Sequence, residues 1–184
     1  MTNRLFNFVG GIKGPWKVVG MASVIGPGME GVERLDVLTG NLDGLPSGSK
    51  WVLRGVTSYE RYVNRQEQEN LIASQPPLGR PEATCAALIP ISKSASWWAL
   101  PQDERRTIFE ASSRHIETGL KYLPAIARRL HHGRDLGEPF DFLTWFEYAP
   151  AHAEVFEDLV SVLRKTEEWN YVEREIDFRL IREG

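Results

Sequence analysis

The stretch Tyr122-Leu123-Pro124-Ala125-Ile126-Ala127-Arg128-Arg129-Leu130-His131-His132 decides the fold. Pro124 lacks an amide hydrogen and its ring crowds the preceding turn, so a helix arriving from upstream ends here. Tyr122–His132 then reads as a strand. A turn over 133–139 leads into Phe140–Tyr148, a second strand whose Phe140, Phe142, Thr144, Phe146 and Tyr148 share one face. Two strands in succession, rather than one long helix, set the order of everything around them.

Working outward, Thr84–Ser92 is an apolar run of strand length. Pro101-Gln102-Asp103-Glu104 opens a helix, with acidic residues in its first turn, that extends to about Gly119. Downstream, 150–168 is an amphipathic helix carrying Phe156, Leu159, Val160 and Leu163 on one face. Tyr171–Ile181 is a last strand, with Val172, Ile176, Phe178 and Leu180 to one side. The order strand, helix, strand, strand, helix, strand is the ferredoxin-like arrangement, an α+β fold with helices on one face of an antiparallel sheet. Residues 1–80 are richer in glycine and proline. They offer strands at Trp16–Ile25 and Trp51–Tyr59, a loop over 41–49 and a helix over Tyr62–Ala73. The connector is Gln75-Pro76-Pro77-Leu78-Gly79-Arg80-Pro81. We expect a reduced first half, 1–80, and a complete second half, 81–184.

The composition is that of an ordinary globular chain, 42% hydrophobic and 26% charged over 184 residues. A net charge of −3 argues against a nucleic-acid partner, whose phosphates call for a basic surface. One cysteine, Cys85, permits no internal disulfide and fits a reducing compartment. No apolar run approaches membrane-spanning length, and the first residues lack a signal-peptide pattern. The expectation is a soluble, cytoplasmic protein without a membrane partner.

Strand parity places Ile126, Arg128 and Leu130 on one face, with Arg129 and His131 on the other. If the two strands pair, Arg128 projects into an aromatic-lined space, where a guanidinium calls for an anion. On the preceding helix, Ile108, Ser112 and His115 fall at helical spacing on one stripe. A histidine at the end of such a stripe is either a hydrogen-bonded core residue or a metal ligand, and the spacing leaves both open.

The strings from His115-Ile116 through Tyr122–Arg128 resemble the chlorite dismutase family. So do Gly137–Tyr148, Thr166-Glu167-Glu168-Trp169 with Tyr171-Val172, and Ser96-Trp97-Trp98. The likeness covers nearly all of 83–182 and extends more weakly through Gly55–Tyr62. The short chain and abbreviated first half are similar to the smaller, dimeric branch of that family. The resemblance implies a dimeric α+β barrel of two ferredoxin-like halves, with haem b in the second. It implies conversion of chlorite to chloride and dioxygen, by oxygen-atom transfer to ferric haem followed by O–O bond formation. On that resemblance His115 is the axial iron ligand, and Glu168 is the carboxylate on its second nitrogen. Arg128 is the distal catalytic arginine and Gln75 the residue that orients it. Leu123, Thr144 and Phe146 line the distal pocket, and Trp97 lies near the haem edge.

Competing assignments stay in view. Glu167 rivals Glu168. Trp97 and Trp98 are equally readable as packing residues. Trp145, on the odd face of its strand, is expected away from the haem and suited to a subunit interface. His131-His132 is expected to be solvated, since no further metal ligand stands at useful spacing. His152 and Cys85 receive no role. Two other functions suit a haem fold: a coproheme decarboxylase of haem synthesis, against which Arg128 argues, and a haem-binding protein without turnover.

Overall fold

A computed structural model describes residues 3–57, 65–66, 76–112, 121–122 and 124–183. Its centre is a closed barrel of eight strands: β1 Leu5–Gly11, β2 Trp16–Ile25, β3 Arg34–Thr39, β4 Ser49–Thr57, β5 Cys85–Lys93, β6 Ile126–His132, β7 Phe142–Tyr148 and β8 Val172–Arg182. Around the barrel they run β1-β3-β2-β8-β5-β7-β6-β4. Every ladder is antiparallel. In each set of four, the fourth, first, third and second strands lie side by side. The sets join through a long β2–β8 ladder and close through two β4–β6 pairs, Val56 with His132 and Thr57 with His131. Closure leaves no sheet edge open.

Strands β1 and β3 were not expected from the sequence. Both are short, and glycines at the end of β1 dilute its alternation. In place of a crossover helix, a four-residue link over 12–15 joins β1 to β2. Gly14 makes that possible. Its φ is +132°, and a Cβ there would lie 2.4 Å from the Leu35 carbonyl oxygen, so the link crosses β3 in backbone contact.

Among the described residues, three α-helices belong to the second set: α1 Ala95–Ala99, α2 Gln102–Arg106 and α3 Ala153–Leu163. Asp103 and Glu104 open α2 and Arg105 and Arg106 close it, complementing the helix dipole. Beyond Arg106 the winding widens to a π-type turn over Thr107–Ser112. The rest of the expected helix, to Gly119, lies outside the described residues. So does the expected helix Tyr62–Ala73, apart from residues 65–66, which are helical. The expected 150–168 helix is three pieces: a 3-10 turn Pro150–His152, then α3, then a 3-10 turn Glu167–Tyr171. β6 begins at Ile126 and β7 at Phe142, later than expected at both. Phe140 therefore escapes the strand's alternation and packs in the barrel interior.

Closure gives the alternation of β5–β8 its meaning. Inside the barrel lie Phe6, Phe8, Trp16, Leu88, Leu143, Trp145, Ile176 and Phe178. Outside, beneath α3, Ala87, Ile89, Ile91, Phe146 and Tyr148 meet Phe156, Leu159, Val160 and Leu163. Val172 belongs to this outer layer, not with Ile176, because the β5–β8 register slips between Ser92 and Lys93. Trp145 is no interface residue. It is 1% exposed, meets Trp16 edge-on at 5.3 Å and Phe8 at 5.9 Å, and donates from Nε1 to Glu147.

The solvated histidine pair is likewise overturned, since both rings are buried. His131 stands inside the barrel between Phe6 and Phe8. Arg129 Nε donates to its Nε2 at 2.8 Å, so its own proton sits on Nδ1, 3.0 Å from the Leu143 carbonyl. Burial first, then repulsion by Arg129, brings the His131 pKa down to about 3. The folded state therefore keeps His131 neutral. Its contribution to stability is complete above about pH 6.5, the unfolded value, and is lost as pH falls toward 3. Acidification through that window should cost about 1.4 kcal/mol per pH unit from this residue. Urea midpoints measured from pH 7 down to 4.5 should show the slope. His131→Gln should flatten it, and an equally steep variant would locate the acid sensitivity elsewhere.

Candidate functional site

The outward face of β6, β7 and β5 forms one wall of a cavity of about 910 Å³, counted with its open mouth. Arg128, Leu130 and His132 reach it from β6, Phe142, Thr144 and Phe146 from β7, and Ile89, Ile91 and Lys93 from β5. Arg128 pairs with Phe146 and Leu130 with Thr144 across the ladder, so the guanidinium emerges beside the aromatic ring. Phe109, Val160 and Leu163 add apolar wall, and Arg164, Glu168, Trp169 and Glu175 add polar groups. Leu130 is 41% exposed although it faces the cavity. An open cleft with apolar walls and a few convergent polar groups is the usual form of a cofactor or substrate site.

Of the residues singled out in the sequence, the cavity gathers Arg128, Thr144, Phe146 and Glu168. Glu168 is 3% exposed, whereas Glu167, on the same turn, is exposed to solvent. Gln75, His115 and Leu123 lie outside the described residues. Trp97 does not line the cavity, but it is 1% exposed and its ring lies under Lys93 Nζ, 3.5 Å from the ring centroid. Its Nε1 is buried without an acceptor among the described residues. A buried donor in that state is costly unless an acceptor arrives. Trp98 is better placed in the fold. Its Nε1 donates to Asp141 at 3.2 Å, its ring stacks on Phe142, and Arg134 covers it at 4.1 Å.

Lys93 went unnoticed in the sequence. It is 4% exposed, and its Nζ donates to Glu168 Oε1 in a fully enclosed ion pair. Burial lowers its pKa, while the Glu168 carboxylate and then Asp141 pull the other way. Its backbone amide donates to Asp141 Oδ2 at 2.7 Å, which ties the end of β5 to the start of β7. The only sequence sign was a charged residue closing an apolar run, and the carboxylate it meets is 75 residues away. His132 was equally hidden. The sequence reading took His131-His132 together as a solvated pair, whereas His132 lines the cavity beside Arg128 and Leu130.

No cluster of metal-ligating side chains occurs among the described residues. Nor is any described helix long and apolar enough to cross a membrane. A cleft open on one side, with apolar walls from Ile89, Ile91, Phe109, Phe142, Phe146, Val160 and Leu163 and cationic side chains from Arg128 and Arg164, fits a large cofactor with apolar faces and an acidic edge.

Comparison with known proteins agrees with the geometry. The chlorite dismutase family profile matches residues 44–183. A crystal structure of a dimeric chlorite dismutase from Nitrobacter winogradskyi is 57% identical. The match covers 97% of this chain and 99% of that one, with a TM-score of 0.90. A chlorite dismutase from Candidatus Nitrospira defluvii, solved in complex with imidazole, is 28% identical over 72% of this chain and 55% of its own, with a TM-score of 0.59. The chlorite dismutase of Ideonella dechloratans is 29% identical over 126 residues. That match spans 65% of this chain and 40% of that relative's length.

Proposed function

Because the chain belongs to the chlorite dismutase family, we propose that it holds a b-type haem in this cavity and converts chlorite to chloride and dioxygen. The observation that carries the reading is Arg128, a permanent cation on the cavity wall, with Thr144 and Phe146 beside it. The 57% identity to a dimeric relative supports a homodimer. The shared strand order of the two four-strand sets supports reading 1–80 and 81–184 as two ferredoxin-like halves, the first without its crossover helices.

Bound through its iron to His115, the haem would supply the redox centre that accepts an oxygen atom from chlorite. The protein's part is positional and electrostatic. Arg128 draws in the small oxyanion and orients it by charge-assisted hydrogen bonds. The same guanidinium stabilises negative charge as the chlorine–oxygen bond breaks, and it keeps the chlorine-bearing fragment in place until the oxygen atoms join. Phe146, Thr144 and Leu123 shut out water around that fragment. Glu168 accepts the proton-bearing second nitrogen of His115 and makes the imidazole a stronger donor. Lys93 holds Glu168 in place through their buried ion pair. Trp97 supports Lys93 from below, its ring centroid 3.5 Å from the ammonium.

The test is direct. Protein loaded with haem should release dioxygen from chlorite, read with an oxygen electrode, and His115→Ala should fail to retain haem in its ligated spectral form. Haem uptake without dioxygen release would leave a haem-binding protein and refute the enzymatic reading.

A further inference from the structure

Glu168 sits on a five-residue 3-10 turn, Glu167–Tyr171, a winding with poor hydrogen-bond geometry that is used only in short pieces. Thr166, at its start, caps nothing in the turn. Its hydroxyl points back to the Leu163 carbonyl at 2.7 Å. A buried carboxylate on so weak an element needs an outside fixture to keep its direction.

The geometry points to Glu175 as that fixture: a positioning residue that, through Trp169 and Arg164, holds the turn presenting Glu168 to the cavity. Glu175 lies on β8 and is 0% exposed. Its Oε2 accepts from Trp169 Nε1 at 2.9 Å. Its Oε1 accepts from Arg164 Nε at 2.8 Å and lies 2.7 Å from Arg164 Nη2. Arg164 is the residue that ends α3, eleven positions before Glu175. One carboxylate therefore closes the loop at its base, by an ion pair between α3 and β8, and ties its tip, by the indole. Trp169 follows Glu168 directly, so any rotation of the turn that frees the indole also swings the carboxylate.

The chemistry of the clasp suits a fixed support. Its base is a charge-assisted, two-nitrogen contact, stronger than a neutral hydrogen bond. Burial opposes the Arg164 charge, but the carboxylates of Glu175 and Asp177 outweigh it, so the cation persists at any working pH. Asp177 Oδ2 receives Arg164 Nη2 at 2.8 Å and does not touch the indole. Asp177 thus belongs to the ion network joining α3 to β8 but not to the tether on the turn. That difference separates a positioning role from general stability.

The inference rests on the reading of Glu168 as the partner of an iron-bound histidine, and the experiment distinguishes the two. Ferric haem is added to wild type, Glu175→Gln, Trp169→Phe and Asp177→Asn. The iron–histidine stretch of the reduced forms is measured by resonance Raman, and amide exchange is followed over residues 167–171. Glu175→Gln and Trp169→Phe should shift the stretch to lower frequency, as the carboxylate loses its hold on the histidine. They should also speed exchange of the turn roughly tenfold. Asp177→Asn should change neither. An unshifted stretch in both Glu175→Gln and Trp169→Phe, or an equal shift in Asp177→Asn, would overturn the positioning role. If wild type binds no haem at all, the functional reading falls first and this inference with it.

Discussion

Replacing Arg128 with alanine should lower kcat/KM for chlorite roughly 100- to 1,000-fold, the usual loss when one preorganised donor to a developing anion is removed. The haem should remain bound, because the cavity's apolar walls and the proposed ligand His115 are untouched. Two parts of the loss can be told apart. A poorer hold on the incoming oxyanion raises KM, whereas a poorer hold on the chlorine-bearing fragment shortens the enzyme's working life, since that fragment escapes and oxidises the protein. Arg128→Lys should recover part of the first and less of the second. An ammonium keeps the charge but cannot present the planar fork that grips two oxygens. Oxygen-electrode traces at low and saturating chlorite, followed to exhaustion, give both numbers. Wild-type turnover and wild-type endurance in Arg128→Ala would remove the distal arginine from the mechanism.

Trp145→Ala should be strongly destabilising, costing about 3–5 kcal/mol in urea or thermal unfolding. The indole fills the barrel interior against Phe8 and Trp16, so its removal leaves a large cavity. Its removal also takes a donor from Glu147, a buried carboxylate whose other oxygen accepts from the Gly79 amide at 2.6 Å. Trp145→Phe should cost less, since most of the volume stays, and its residual deficit reports on the lost hydrogen bond. The result discriminates between two places for the same residue. A core tryptophan lowers the unfolding midpoint at every protein concentration. An interface tryptophan would leave the folded subunit intact and change only its assembly state, which sedimentation would reveal.

Much of the site was legible in local spacing. The even face of β6 and β7 carries Arg128, Thr144 and Phe146 because strand geometry alternates side chains with a period of two, and this needs no knowledge of the rest of the chain. The apolar face of α3 was readable for the same kind of reason. Other groups were out of reach. Lys93 and Glu168 are 75 residues apart, and nothing in either neighbourhood names the other. Nothing in the residues around Glu175 marks it out. Its importance comes from two partners, Arg164 and Trp169, that meet it only when α3 folds back onto β8. The Gly14 crossover was hidden because a four-residue link between parallel strands, running across a third, has no signature in composition.

By itself the sequence determined the element order of the second half, the shared face of Arg128, Thr144 and Phe146, and the family to which the His115, Arg128 and Glu168 strings belong; it misplaced Phe140 and Val172. Only the tertiary structure decided what those faces look toward. Closing eight strands into a barrel turned the odd face of β6 and β7 into an interior, so His131, Trp145 and Glu147 are buried where an open sheet would have left them to solvent or to a neighbour. The physical reason is that local geometry fixes direction relative to the backbone, whereas burial, charge pairing and cavity walls depend on which distant segments pack there.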